Sequence, residues 1–343
     1  MLVLLLVSLH QPLLLDLSSG LDVTAVVPER PLLKPWYRLA CDDGKVVLDY
    51  AQSAVVFDGA AAARLLPALL PLLDGEHAVP DIVAVLGEAA APAIDHALAL
   101  LAEHRLLSGP LPDPSPCPDR DETLRLLLAT DRSGLDAFAV RDALERAEVT
   151  IAGSAPLGED VGRVLRRSGV EQLEHVPLGA SPTAARALTL VAPAAAELHE
   201  LDAWNRACLA DGTVWLALLP CDGRVAPIGP LFVPGETACY DCFRIRRAST
   251  SGYAAEFWSL DAAPAAYPDP VPIRRTVAGL AGWLALRWLV GRSASLPGVV
   301  HALELGPPVT VAAHHVWRVP RCASCSDTAA TALPSPWFDG ALR

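Results

Sequence analysis

Four of the chain's eight cysteines stand in two pairs of identical spacing, Cys239-Tyr240-Asp241-Cys242 and Cys322-Ala323-Ser324-Cys325, with 79 residues between them. A two-residue spacer lets both thiolates of a pair reach one ion at about 2.3 Å, and two such pairs complete a tetrahedron. The pattern therefore predicts one structural zinc held by Cys239, Cys242, Cys322 and Cys325, with no coordination position left for a catalytic water. Such a site pins two segments far apart in sequence to one point, so any fold must bring them together. A redox pair is the competing reading, but neither CxxC is expected to open a helix in a thioredoxin-like setting. Cys41, Cys117, Cys208 and Cys221 are single and read as small buried or surface thiols. Metal spacing without a disulfide framework points to a reducing compartment, and so to the cytoplasm.

The length of 343 residues accommodates two ordinary domains, and 52% hydrophobic against 19% charged residues marks a globular chain. A net charge of −12 argues against nucleic acid, which needs a clustered basic face. The nearest basic run, Arg244, Arg246 and Arg247, reads as a solvated helix face. Met1–Leu9 is apolar, yet no Lys or Arg precedes Arg30, so the charged start of a signal peptide is missing. An extra strand or a misassigned start fits it better. Val277–Val290, interrupted by Arg287, is too short for a membrane span and reads as a buried or interface helix.

Prolines at 110, 112, 114, 116 and 118 favour an extended, semi-rigid linker over 109–122. This divides the chain into an N-terminal extension (1–29), a first domain (30–108) and a second (123–343). In the first, Trp36–Cys41 and Lys45–Tyr50 flank the hairpin signal Asp42-Asp43-Gly44, and Ser53–Phe57 is a third strand. Ala60–Leu73 is helical but carries Pro67 and Pro71, which should break or restart it. Val79–Leu86 and a segment opened by Pro92 are two further helices. Ile94, Ala97, Leu98 and Leu101 form the apolar stripe of the last one. Three strands followed by three helices make a small winged-helix-like unit.

The second domain alternates strands and helices: Val149–Ala152, Leu157–Arg167, Gln172–Val176, Ala187–Val191, Ala194–Leu209 and Val214–Leu219. That is the signature of a Rossmann-type, doubly wound parallel sheet. A helix over Ile273–Val290 and an antiparallel pair, Val299–Leu305 and Val309–Val319, should close it. Gly153-Ser154-Ala155-Pro156-Leu157-Gly158 lies where a dinucleotide fold places GxGxxG, but Ala155 replaces the middle glycine. From Val176 to Val191 there is no Asp, Glu or Asn to hold a ribose. The loop Gly153, Ala155, Gly158 is therefore read as a tight connection without nucleotide. No GxSxG elbow, HExxH or Walker loop occurs, and His314 and His315 point to opposite faces of a strand. No catalytic set is assigned.

The degenerate Gly153–Gly158 turn, the two CxxC pairs and Gly229-Pro230-Leu231-Phe232-Val233-Pro234-Gly235-Glu236-Thr237-Ala238-Cys239 resemble the ThiF-like family of ubiquitin-type activating enzymes. Active members hold ATP with the glycine loop, an acid after the second strand and an Asn/Arg segment. Those groups are missing here. The first domain looks like the PqqD-like leader-recognition element (RRE) of ribosomal peptide (RiPP) biosynthesis. Arg30-Pro31, Trp36-Tyr37-Arg38, Leu72-Leu73-Asp74-Gly75, Val79 and the last helix carry that likeness.

Together the two resemble the ocin-ThiF-like leader-binding partners of azole- and azoline-forming clusters, as in bacteriocin or thiopeptide biosynthesis. Such partners deliver a precursor peptide to a separate YcaO-type cyclodehydratase, which consumes the ATP. The resemblance implies a non-catalytic recruitment protein and a homodimer, with no nucleic-acid or membrane partner. Leader capture is expected by strand addition at Ser53, Ala54, Val55, Val56 and Phe57, beside Ile94, Ala97, Leu98 and Leu101. No cyclodehydratase domain is expected in the same chain. An adenylating enzyme is the rival reading, and a redox or metal-storage protein a third.

Overall fold

Val46, Leu48, Val55 and Phe57 alternate along two adjacent strands and are all buried, so one face of the hairpin they form is core. Val46 stands opposite Phe57 and Leu48 opposite Val55, which makes the register self-consistent with burial. A computed structural model describes residues 3–8, 26–34, 38–42, 45–50, 53–130, 136–183, 186–263 and 266–326. Trp36, Tyr37, Asp43 and Gly44, used above, lie outside the described residues. The chain divides into two compact units at Arg141/Asp142.

The first unit contains β1 (Val3–Ser8), β2 (Leu32–Leu33), β3 (Arg38–Asp42), β4 (Lys45–Tyr50) and β5 (Ser53–Asp58). Helices α1 (Ala60–Leu69), α2 (Val79–Leu86) and α3 (Ala91–Glu103) follow, then β6 (Leu107–Ser108). Its main sheet runs β1-β5-β4-β3, antiparallel throughout, and β2 pairs with β6. Leu66 and Leu69 of α1, Ile82 of α2 and Ile94, Leu98 and Leu101 of α3 close the core against β4 and β5. Pro67 sits inside α1 without breaking it, while Pro71 is the second residue of a short 3-10 turn, Leu70–Leu72. At Asp74-Gly75 the Asp74 carboxylate accepts the N–H groups of Glu76 and His77. Gly75 has φ +80°, and a Cβ there would meet Pro110 Cα at 3.0 Å. Residues 109–117 carry neither helix nor strand, but Pro118 starts α4 (Pro118–Thr130), because a first-turn proline forfeits no helical bond. Helix α5 (Ala137–Arg146) leads into the second unit.

There, β7 (Glu148–Ala152), α6 (Pro156–Arg167), β8 (Gln172–Val176), β9 (Leu188–Val191), α7 (Leu201–Asp211) and β10 (Trp215–Leu218) come first. They are followed by β11 (Val225–Phe232), α8 (Tyr240–Thr250), α9 (Phe257–Asp261), α10 (Val271–Gly291), β12 (Val299–Glu304) and β13 (Thr310–His315). The sheet order is β8-β7-β9-β10-β11-β12-β13. The first four of those strands are parallel and the last three antiparallel. β9 and β10 are buried along their whole length, as central parallel strands require. The expected single helix over Ala194–Leu209 is instead a 3-10 segment, Ala195–Glu200, followed by α7. Strand β11 was not foreseen: Pro227 and Pro230 argue against a central strand. The β10–β11 ladder admits it through a register shift between Leu216 and Leu218.

Candidate functional site

Cys239 caps the N-terminus of α8 and Cys242 falls in its first turn, so this pair does open a helix, contrary to expectation. Its partner pair lies in turns beyond β13, where the Cys322 N–H donates to Val319 O and the Ser326 N–H to Cys322 O. The four sulfurs lie within 4.8 Å of one another and could hold a metal ion. Cys239 Sγ is 3.9 Å from Cys242 Sγ and 3.7 Å from Cys322 Sγ, and Cys242 Sγ is 3.5 Å from Cys325 Sγ. A tetrahedron with 2.3 Å metal–sulfur bonds has edges of about 3.8 Å. These separations match it and are far from the ~2.05 Å of a disulfide. Helix opening alone would have suited a redox pair; four sulfurs at tetrahedral separations do not.

Around the cluster, Val319 N–H donates to Cys242 Sγ at 3.3 Å, and Arg318 donates to the carbonyls of Gly235 and Cys325. Ser324 Oγ donates to the Asp241 carboxylate, joining the two loops. Ala238, Cys239, Cys242 and Cys322 form a small buried core of their own. The sulfur bond from Cys239 drives Cys242 down, to about 4, while the same bond and then burial push Cys239 up. Burial raises Cys325 to about 11. Four sulfurs this close together offer a site for a cation. The basic run beside them is taken up internally. Arg244 binds Asp202 and Asp261, Arg246 donates to the carbonyls of Trp317 and Arg318, and Arg247 lies over Phe243 and Phe257.

β7 has β8 on one side and β9 on the other, so the crevice beyond their C-terminal ends is the topological switch point where such folds bind ligands. The Gly153–Gly158 loop lies here. Four of its five backbone N–H groups, those of 153, 154, 155 and 158, are engaged. The N–H of Gly153 donates to Val176 O, that of Ala155 to Ala192 O and that of Gly158 to Ala155 O. Ser154 N–H donates to the Glu197 carboxylate at 2.9 Å, and the same oxygen accepts Ala194 N–H at 2.8 Å. Partial burial would raise the Glu197 pKa, but these backbone bonds outweigh it and hold the group below its usual value. A carboxylate thus takes up one of the loop's N–H groups.

The glycines serve packing. A Cβ at Gly153 would lie 2.3 Å from Ala192 O, and one at Gly158 2.9 Å from Ile151 Cγ2. Beside the loop is a cavity of about 180 Å³, walled by Pro156, Pro193, Pro220, Pro268 and Pro270. The cation on its wall, Arg274, binds Asp160 at 2.8 Å and Asp269 at 2.7 Å. Sequence reasoning missed Glu197. It also missed Glu200, whose carboxylate would come within 3.6 Å of a Cβ at Gly179, in the loop after β8. Both come from the 3-10 segment taken for plain helix.

The expected peptide edge is arranged differently from the expectation. Val55, Phe57, Ile94, Ala97, Leu98 and Leu101 are core residues, while Ala54 and Val56 are half-buried on the other face of β5. The outer edge of β5, expected to be open, pairs with β1 from Val3↔Asp58 to Ser8↔Ser53.

No family model and no curated protein matches the chain. Solved structures do. A heterocyclase in complex with substrate and cofactor aligns with a TM-score of 0.67 and 23% identity, over 87% of this chain and 39% of its own. The heterocyclase TruD aligns with 0.66 and 22%, over 88% of this chain and 43% of its own. MccB of E. coli, which has also been solved with ATP, aligns with 0.61 and 13%, over 87% and 97%. The chain spans about two fifths of the heterocyclases' length and nearly all of MccB's. At these identities the likeness is one of fold.

Proposed function

We propose that this chain is a non-catalytic, leader-binding partner in ribosomal peptide biosynthesis, recruiting a precursor peptide to a separate YcaO-type cyclodehydratase. The observation that carries the non-catalytic reading is the loop from Gly153 to Gly158: its N–H groups at 153, 154, 155 and 158 already donate within the chain. A phosphate needs such donors free. The paired Arg274 and the proline-walled cavity point the same way. ATP therefore does not fit the residues present, and no adenylation step is assigned. The fold shared with heterocyclases and with MccB, which has been solved with MccA, supports a role around peptide substrates.

In this reading the first unit is the winged-helix-like leader-recognition element. The leader adds as a strand to β5, where backbone bonds give affinity and side-chain pockets give specificity. Cys239, Cys242, Cys322 and Cys325 hold zinc, which cross-links the start of α8 to the segment after β13 and keeps no open position for chemistry. The exposed edge strand β13, with Val311 exposed on it and Val309 and Trp317 exposed beside it, serves the homodimer contact. The protein works in the cytoplasm; among the described residues no single helix is long and apolar enough to cross a membrane.

Reconstitution tests the proposal. Purified chain, precursor and cyclodehydratase together should give ATP-dependent loss of water from the peptide, and omission of this chain should abolish it. The chain alone should give no pyrophosphate exchange. Exchange above background would instead favour the adenylating rival, with Glu200 as its missing acid.

A further inference from the structure

In the first unit β5 lies between two neighbours, β4 and β1. β1 covers the whole strand, antiparallel, through six consecutive residue pairs from Val3↔Asp58 to Ser8↔Ser53. The edge assigned above to an incoming peptide is therefore occupied by the first residues of the chain itself.

Two features make β1 exchangeable where β4 and β5 are not. It sits at the end of the sheet with β5 as its neighbour, so its departure breaks one ladder, whereas β4 and β5 each hold two. And β4 and β5 carry the buried Val46, Leu48, Val55 and Phe57 that form the core with α1 and α3. An exposed, apolar β5 edge would invite pairing with any extended chain, and covering it is a recognised protection.

We propose that Val3–Ser8 is a tethered stand-in for the peptide ligand: it closes the β5 edge, and the ligand binds by displacing it. This rests on the reading of β5 as the peptide-binding edge. The stand-in also describes what the edge accepts. Val3-Leu4-Leu5-Leu6-Val7-Ser8 contains no charge, no proline and no glycine. The ligand class is accordingly an uncharged, Leu/Val-rich segment of about six residues, extended and antiparallel to β5. A tethered segment competes at an effective concentration on the order of 1 mM, so a free ligand binds the full chain more weakly than a chain without the stand-in.

The test uses the full chain, a chain beginning at His10, and full-length Leu5→Pro, which interrupts the β1 ladder. The probes are a fluorescent synthetic peptide spanning Val3–Ser8 with two added C-terminal lysines, and the precursor leader. The shortened chain should bind the synthetic peptide at least tenfold more tightly than the full chain, with Leu5→Pro between them. Amide hydrogens of Ser53–Asp58 should exchange faster in both variants than in the full chain. Equal affinities, or unchanged exchange over Ser53–Asp58, would overturn the proposal. If the shortened chain is insoluble, Leu5→Pro decides. Should that variant also lose its fold, β1 is a permanent strand and the proposal fails. If the synthetic peptide binds the shortened chain but no leader competes with it, the stand-in is upheld and the leader-binding function falls. If the leader binds full and shortened chains equally, the leader reading survives and the stand-in does not.

Discussion

Replacing Cys322 by Ser should remove the metal and collapse the second unit. Cys322 is buried, and its sulfur is 3.7 Å from that of Cys239, so a hydroxyl there leaves three thiols around a space sized for four sulfurs. The magnitude follows from what the metal joins. The two pairs are 79 residues apart, and a cross-link closing a loop of about 80 residues contributes roughly 4–5 kcal/mol by chain entropy alone. Structural zinc in small peptides contributes about 10–16 kcal/mol in all. Either figure is comparable with the ~5–15 kcal/mol that holds a typical domain folded. Taking the lower one, and about 2–4 °C per kcal/mol for a unit of about 200 residues, thermal unfolding should fall by roughly 10–20 °C. Elemental analysis should find about one zinc per wild-type chain and almost none in the variant, and a strong chelator should reproduce the variant's melting curve. Because the ligands must be deprotonated, protons compete with the ion and metal should be lost as pH falls. Wild-type protein with well under half an equivalent of zinc and its fold intact would refute the reasoning.

ATP titrated into the full chain should give no heat of binding, and a micromolar dissociation constant by calorimetry would contradict the engaged-donor argument. Glu197→Ala removes the acceptor of the Ser154 and Ala194 N–H groups and should cost about 1 kcal/mol in urea unfolding at neutral pH. The folded pKa of Glu197 is depressed, so its contribution is full above the unfolded value of about 4.5 and fades as pH falls through the lower folded value. Wild type and variant should thus converge in acid, and a constant gap across pH would count against it. Gly282→Ala places a Cβ 2.6 Å from Val164 Cγ1 between α10 and α6 and should destabilise by about 1–3 kcal/mol, with an unchanged melting temperature arguing against that packing. Proline at Val55 or Val56 takes one ladder bond from β5, so leader affinity should drop while zinc content stays at wild-type level.

The strands and helices with strong periodicity were readable from the residues: Lys45–Tyr50 is found at its expected bounds, and α2 likewise. Their signals are local, an apolar run or a proline and glycine at the two ends. β11 was not readable, since two prolines speak against a central strand and only the neighbouring β10 and β12 show how the ladder tolerates them. Nor was the true start of α4, where Pro118 looked like the end of a proline-rich linker and is the first residue of a helix. The meeting of four cysteines was legible because thiolate spacing is set by metal geometry and survives any intervening fold. Glu197 was not, because a carboxylate that caps a loop 43 residues away carries no spacing rule.

On the proposed non-catalytic reading, that contrast also accounts for a glycine loop that serves packing alone. In a dinucleotide fold the glycines answer two demands at once, backbone approach to phosphate and close packing of strand, loop and helix. Here the second demand is intact: Gly153 has φ +108° with Ala192 O against its missing side chain, and Gly158 and Gly162 both let Ile151 into the α6 face. The first has been replaced position by position. Ala155 fills the middle site, the N–H groups of 153, 155 and 158 donate to backbone carbonyls, and Glu197 accepts those of Ser154 and Ala194. A carboxylate held by two backbone N–H groups keeps its proton off at neutral pH, so it repels any phosphate entering the same place. Restoring a glycine at position 155 would therefore not restore nucleotide binding while Glu197 stays, and phosphate affinity should emerge in the double variant Ala155→Gly, Glu197→Ala before it emerges in either single one.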